Sequence, residues 1–136
     1  VHTAELDVAD DVVDRDQARA ATRDRPELAQ PGDRGVLMCF DEKTGKFLWQ
    51  LVVPKLASGK VNDWESLGLL ASPTVEGDRV YLVTSRCEVI CLDINGMANG
   101  NDGPFRDEAR HSVPLGADPI EPGPQDADIL WLFDYI

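Results

Sequence analysis

The chain has 136 residues, is 43% hydrophobic, and carries 13 Lys and Arg against 25 Asp and Glu, a net charge of −12. That balance excludes a nucleic-acid binder, which needs clustered basic residues against phosphate, and it repels anionic membrane surfaces. No segment is long and apolar enough to span a membrane as a helix, and the length suits one domain with a modest core.

Residues 1–35 are polar and highly charged. Asp10 to Arg23 could form a short helix, but Val8, Val12 and Val13 make only a thin apolar stripe before Pro26, Pro31 and Gly32 break it. This part is expected to be a surface insertion, with His2 exposed. The first strong pattern follows at 36–53. Val36 to Phe40 is an apolar run of strand length. Asp41 to Gly45 supplies turn chemistry, because Asp bonds the backbone just after it and Gly takes positive φ. Phe47 to Val53 then resumes the strand pattern, and Pro54 ends it.

Residues 54–70 read as a linker in which Asn62 to Leu67 could make one helical turn. Trp64 there is either a plug under the loop or a stacking surface. Ala71 to Val75 and Arg79 to Thr84 are strand candidates joined by the hairpin turn Glu76-Gly77-Asp78. Glu88-Val89-Ile90-Cys91-Leu92-Asp93 then matches Val36-Leu37-Met38-Cys39-Phe40-Asp41 position by position, and Ile129-Leu130-Trp131 matches Phe47-Leu48-Trp49. The second copy is split by about 30 additional residues. Internal repetition of this kind marks propellers and solenoids.

The insertion, 94–128, is the most distinctive part. Asn95 to Pro104 is dense in turn formers. Asp93, Asn95, Asn99, Asn101 and Asp102 offer oxygen ligands suited to Ca²⁺. The spacing does not complete an EF-hand loop: with Asp93 as the first position, Ala98 stands where Gly is needed and Pro104 where Glu is needed. The other reading of the same run is a tight cluster of Asx-bonded turns. Phe105 to His111 suggests a short helix, after which Pro114, Pro119, Pro122 and Pro124 keep the chain extended. His111, with Asp107 and Glu108 nearby, reads as a surface ion-pair member and not as a catalyst. Cys39, Cys87 and Cys91 do not make a complete disulfide framework, and Cys39 and Cys91 read as small buried hydrophobes.

Cys39, Asp41, Thr44-Gly45 and Trp49 together resemble the repeat of the PQQ-binding-like, or quinoprotein-like, β-propellers, with Cys39 where that family usually has Ala. The resemblance implies an all-β fold of four-stranded antiparallel propeller blades, with Trp49 packing between blades. Residues 36–53 would be the last two strands of one blade, and 71–136 a complete blade carrying the 94–128 insertion. A blade and a half cannot close a ring. With Val1 rather than Met at the start, the expectation is a processed chain or a piece of a larger protein: its partners are the remaining blades of a parent chain, or blades that come from elsewhere, and a further protein partner is possible.

Two functions follow from the resemblance. One is a non-catalytic scaffold or binding module for a protein or small ligand. The other is part of a PQQ-dependent alcohol or sugar dehydrogenase, in which PQQ and Ca²⁺ sit on the propeller axis beside a general-base Asp and, in many members, a vicinal Cys pair. No vicinal Cys pair occurs here, and Asp41 and Asp93 belong to turns, so the scaffold is favoured and no catalytic residue is assigned. The resemblance also implies a periplasmic or extracellular location.

Overall fold

The computed structural model of the chain describes residues 4–8, 34–54 and 68–135. The expected helix at 10–23, the 62–67 turn, Trp64 and His2 lie outside these residues. The described part is mostly β. Strands β1 (Ala4–Val8), β2 (Arg34–Asp41) and β3 (Phe47–Pro54) form one antiparallel sheet in that order. Strands β4 (Thr74–Glu76), β5 (Arg79–Val83), β6 (Glu88–Asp93) and β7 (Ile129–Asp134) form a second, four-stranded antiparallel meander. No closed barrel occurs among the described residues.

Five of the six strands from β2 onward lie where the hydrophobic pattern puts them; β4 is shorter and shifted from the expected 71–75, starting only after Pro73, which has no amide to give a ladder, and running through Glu76. β1 corrects the expectation that 1–35 is only an insertion. Ala4-Glu5-Leu6-Asp7-Val8 alternates apolar and polar residues with period two, the pattern of a strand, and it pairs along β2 from Ala4–Asp41 to Val8–Leu37. The high charge of the surrounding segment masks this signal.

The turn after β2 works as its residues dictate. One oxygen of Asp41 accepts the amides of Lys43 and Thr44, at 3.2 and 2.8 Å, and the Thr44 hydroxyl at 2.7 Å. The Gly45 amide donates to the Asp41 carbonyl at 2.8 Å, and Gly45 takes φ +68°. Asp93 repeats the device by accepting the Asn95 amide at 2.7 Å.

The two sequence copies are also copies in geometry. Cys39 stands opposite Trp49, and Cys91 opposite Trp131. Immediately after each Cys the register shifts, so that Phe40 faces Phe47 and Leu92 faces Ile129. The Asp41 amide donates to Lys46 at 2.8 Å, and the Asp93 amide donates to Asp128 at 3.0 Å, three residues before each Trp. The long insertion therefore leaves the hairpin by the same hydrogen bond that closes the short one.

The core is the interface between the sheets. Leu37, Cys39, Trp49, Leu51 and Val53 pack with Val80, Leu82, Ile90, Leu92 and Ile129, joined by Leu69 and by Ala127 of the insertion. Trp49 is its centrepiece, 1% exposed. Its indole N–H donates to the Ile94 carbonyl at 2.8 Å. The ring lies against Gly96, where a Cβ would come within 2.7 Å of the indole and 2.8 Å of the Asp126 carbonyl. Gly96 also has φ +58°, so both conformation and space require glycine.

The insertion is ordered onto this interface. It begins with a 3₁₀ turn, Gly96–Asn99, and continues through α1 (Glu108–His111). Its last part lies along β3: Gln50 donates its amide to Gln125 at 3.0 Å and accepts from Ala127 at 2.8 Å. This covers the outer edge of β3 at the point where an unpaired strand would invite foreign pairing.

Removing the Trp49 ring should therefore cost both packing and a buried hydrogen bond. Trp49→Ala is expected to lower stability by about 3–5 kcal/mol. Gly96→Ala is expected to cost at least about 1–2 kcal/mol for the left-handed backbone alone, and Trp49→Phe about 1–3 kcal/mol for the orphaned carbonyl. Urea unfolding measures all three, and unchanged midpoints would refute this packing.

Candidate functional site

Two features of the second sheet stand out: an acidic pocket beside the insertion, and an open apolar face. The insertion also brings a buried His to Glu88 of β6, next to a small cavity lined partly by β3.

The hydrogen bond between Asp93 and Asp128 draws the start and end of the insertion together. As a result Asp93, Asp102 and Asp128 each place a carboxylate oxygen within 4.8 Å of the others. Asp93 and Asp128 are buried and Asp102 is exposed. Asp93 spends one oxygen on the amide and side chain of Asn95. Asp128 is 0% exposed. Its Oδ2 accepts the Asp102 amide at 2.8 Å, while its Oδ1 has no hydrogen-bond partner. Burial pushes the Asp128 carboxyl up, and the charges of Glu108, Asp93 and Asp102 add to this against the opposing Asp102 amide.

Of the five ligands expected from the sequence, Asp93 and Asp102 converge. Asn95 and Asn99 line the same open pocket with Asp78, Arg79 and Trp131. Both are partly engaged in turns, Asn99 through its amide to Asp102 at 3.2 Å. Asn101 accepts from Arg106 instead. Asp128 is the residue that sequence reasoning missed. The available signal was its repeat position, three before the Trp, where the first copy carries Lys46.

His111 corrects a second expectation. It is buried, not on the surface, and its partner is neither Asp107 nor Glu108. Its Nε2 lies 3.0 Å from Oε2 of Glu88, 23 residues away on β6. The same Glu88 oxygen accepts the Thr84 hydroxyl at 2.9 Å, and Arg86 approaches Oε1 at 3.6 Å. Burial alone would raise the Glu88 carboxyl. The hydrogen bond and charge of His111, the Thr84 hydroxyl and Arg86 outweigh it and hold the carboxyl below its usual value. Beside the pair is a small cavity lined by Gln50, Glu108, His111 and Asp126. Gln50 Oε1, Glu108 Oε1 and His111 Nδ1 have no protein partner.

The three cysteines are free. Cys39 and Cys91 are buried, as their repeat position predicts, and burial pushes the Cys39 thiol up to about 11. Such a thiol stays protonated and unreactive at neutral pH. Cys87 is exposed, in the turn between β5 and β6, with φ +60°.

The open face is the second copy's version of the buried interface. The face carrying Leu37, Cys39, Trp49, Leu51 and Val53 is covered by the second sheet. Its repeat equivalents are Val89, Cys91, Trp131, Phe133 and Tyr135. Of these, Trp131 is 40% exposed, Phe133 56% and Tyr135 68%, with Val83 beside them at 49%. Tyr81 leans on Trp131 and Phe133 on Tyr135, at centroid distances of 6.2 and 5.1 Å. Comparison with models of protein families, with curated proteins and with solved structures finds no match in any of the three.

The Glu88 pair sets a pH dependence whose sign is fixed. A carboxyl held below its unfolded value, about 4.3, stabilises the fold above that pH. The contribution is lost as the pH falls through the folded value. Glu88→Gln is expected to cost about 3–5 kcal/mol at pH 7, as for breaking a buried pair. The gap from wild type should close as the pH falls below about 4. Urea titrations from pH 7 to pH 3 test this; a gap independent of pH would contradict it.

Proposed function

We propose that the chain is a segment of a PQQ-binding-like β-propeller that acts as a non-catalytic scaffold or binding module. The observation that carries this reading is Trp131. It occupies the repeat position of Trp49, opposite the equivalent Cys and behind the same register shift, yet it is 40% exposed where Trp49 is 1% exposed. One repeat face is covered by a sheet, and its copy is open. The occupant that fits the open face is therefore another four-stranded sheet of the same kind, offering a turn carbonyl to the Trp131 indole and a glycine beneath its ring. Four-stranded antiparallel sheets stacked in this way are the blades of propellers. On this reading the remaining blades come from the parent protein, which works in the periplasm or outside the cell, and the insertion is the surface most free to meet a protein or small ligand.

The residues present do not fit a quinone cradle, so the dehydrogenase alternative gains no support from this chain. Cys39 and Cys91 are buried on different sheets, Cys87 stands alone on a turn, and Asp41 caps its own turn.

An open apolar face makes the chain self-associate. Sedimentation at rising concentration is expected to show dimers or larger species together with binding of a hydrophobic dye. Both should fall sharply in Trp131→Glu/Phe133→Glu, with the strand signal in circular dichroism unchanged. A wild-type chain that stays monomeric and binds no dye would refute the docking face. Tight, Ca²⁺-dependent binding of PQQ would replace the scaffold reading with the dehydrogenase one.

A further inference from the structure

We propose that Asp93, Asp102 and Asp128 bind a hard divalent cation, Ca²⁺, at the base of the insertion. This inference does not depend on the propeller reading. It rests first on geometry: the three carboxylate oxygens lie within 4.8 Å of one another. Oxygens that share one Ca²⁺ at about 2.3–2.6 Å can be up to roughly 5 Å apart. The donors are all oxygen, which favours a hard cation over zinc or copper.

The second observation is independent of the clustering. Asp128 is completely buried, and its Oδ1 receives no hydrogen bond from the protein. Buried carboxylate oxygens are normally satisfied, and a buried charge needs a partner. Among the described residues no basic side chain fills that role. Arg79 pairs with Asp78 at 3.0 Å, and Arg106 is held by Asn101 and by the carbonyls of Asp102 and Phe105. A cation would satisfy Oδ1 and neutralise three converging charges at once.

The arrangement is also held in place before any ion arrives. The Asp93 amide is bonded to the Asp128 carbonyl, and the Asp102 amide to the Asp128 carboxylate. The pocket that Asp93 and Asp102 line opens to solvent and includes Asn95 and Asn99, whose side-chain carbonyls are of the type that completes such sites. Bound Ca²⁺ would tie the start of the insertion to its end.

Trp131 lines the same pocket and supplies the readout. After EDTA treatment, Tb³⁺ is expected to give emission sensitised by Trp excitation, and Ca²⁺ should displace it. Millimolar Ca²⁺ should raise the melting temperature by several degrees beyond NaCl of equal ionic strength, as ligand linkage requires. Asp128→Asn keeps an acceptor for the Asp102 amide and removes the buried charge. It should melt in EDTA at or above the wild-type temperature and lose the Ca²⁺ increment. Asp102→Asn, at an exposed position, should weaken Ca²⁺ at least tenfold and carries the test if Asp128→Asn does not fold. Asp107→Asn and Asp118→Asn, outside the cluster, should leave the response intact. No Ca²⁺ increment beyond salt, or a full increment in Asp128→Asn and Asp102→Asn, would overturn the site and leave Asp128 a protonated acid.

Discussion

The seat of Trp49 is the constraint on which the rest of the structure depends. A large ring on β3 is removed from water by a turn that belongs to the other sheet, and its single donor is matched by the Ile94 carbonyl. Burying Trp is favourable only when its N–H keeps a partner. That partner must arrive with a glycine, because any side chain at position 96 would meet the ring. The turn after β6 is therefore shaped by a residue 45 positions earlier.

The same contact organises the insertion. Asp126 lies beneath Gly96 and beside Gln50, so the returning chain passes through the seam between the sheets instead of looping into solvent. Holding 125–128 there brings Asp128 to Asp93 and places Ala127 in the core. The acidic pocket is thus a by-product of edge protection. The segment that shields β3 carries a carboxylate into a position where the turn after β6 already holds another.

Local repetition and asymmetric burial together define how the chain can be used. Among the described residues, two copies of one hairpin bury equivalent faces to opposite degrees: the first meets the second sheet, while the aromatic residues of the second stand exposed. An apolar face with three exposed aromatic residues in line is unusual for a surface of net charge −12, and it is the feature on which the proposed docking rests. The charged insertion and the apolar face are neighbours, with Trp131 shared between the pocket and the sheet.

The strands, both Asp-led turns, the repeat and the burial of Cys39 and Cys91 were legible in the sequence, because period-two hydrophobicity and turn chemistry act over a few residues. β1 was legible too, in the alternation of Ala4 to Val8, but was outweighed by the charge around it. Half of the acidic pocket was also readable, in Asp93 and Asp102. Asp128, the Glu88–His111 pair and the partner of Trp49 were decided only by tertiary structure. Each joins residues 23 to 45 positions apart, and nothing in local pattern tells which distant group will satisfy a buried donor or charge. Sequence determined which faces must be buried; the packing of two sheets and the return path of the insertion decided what buries them.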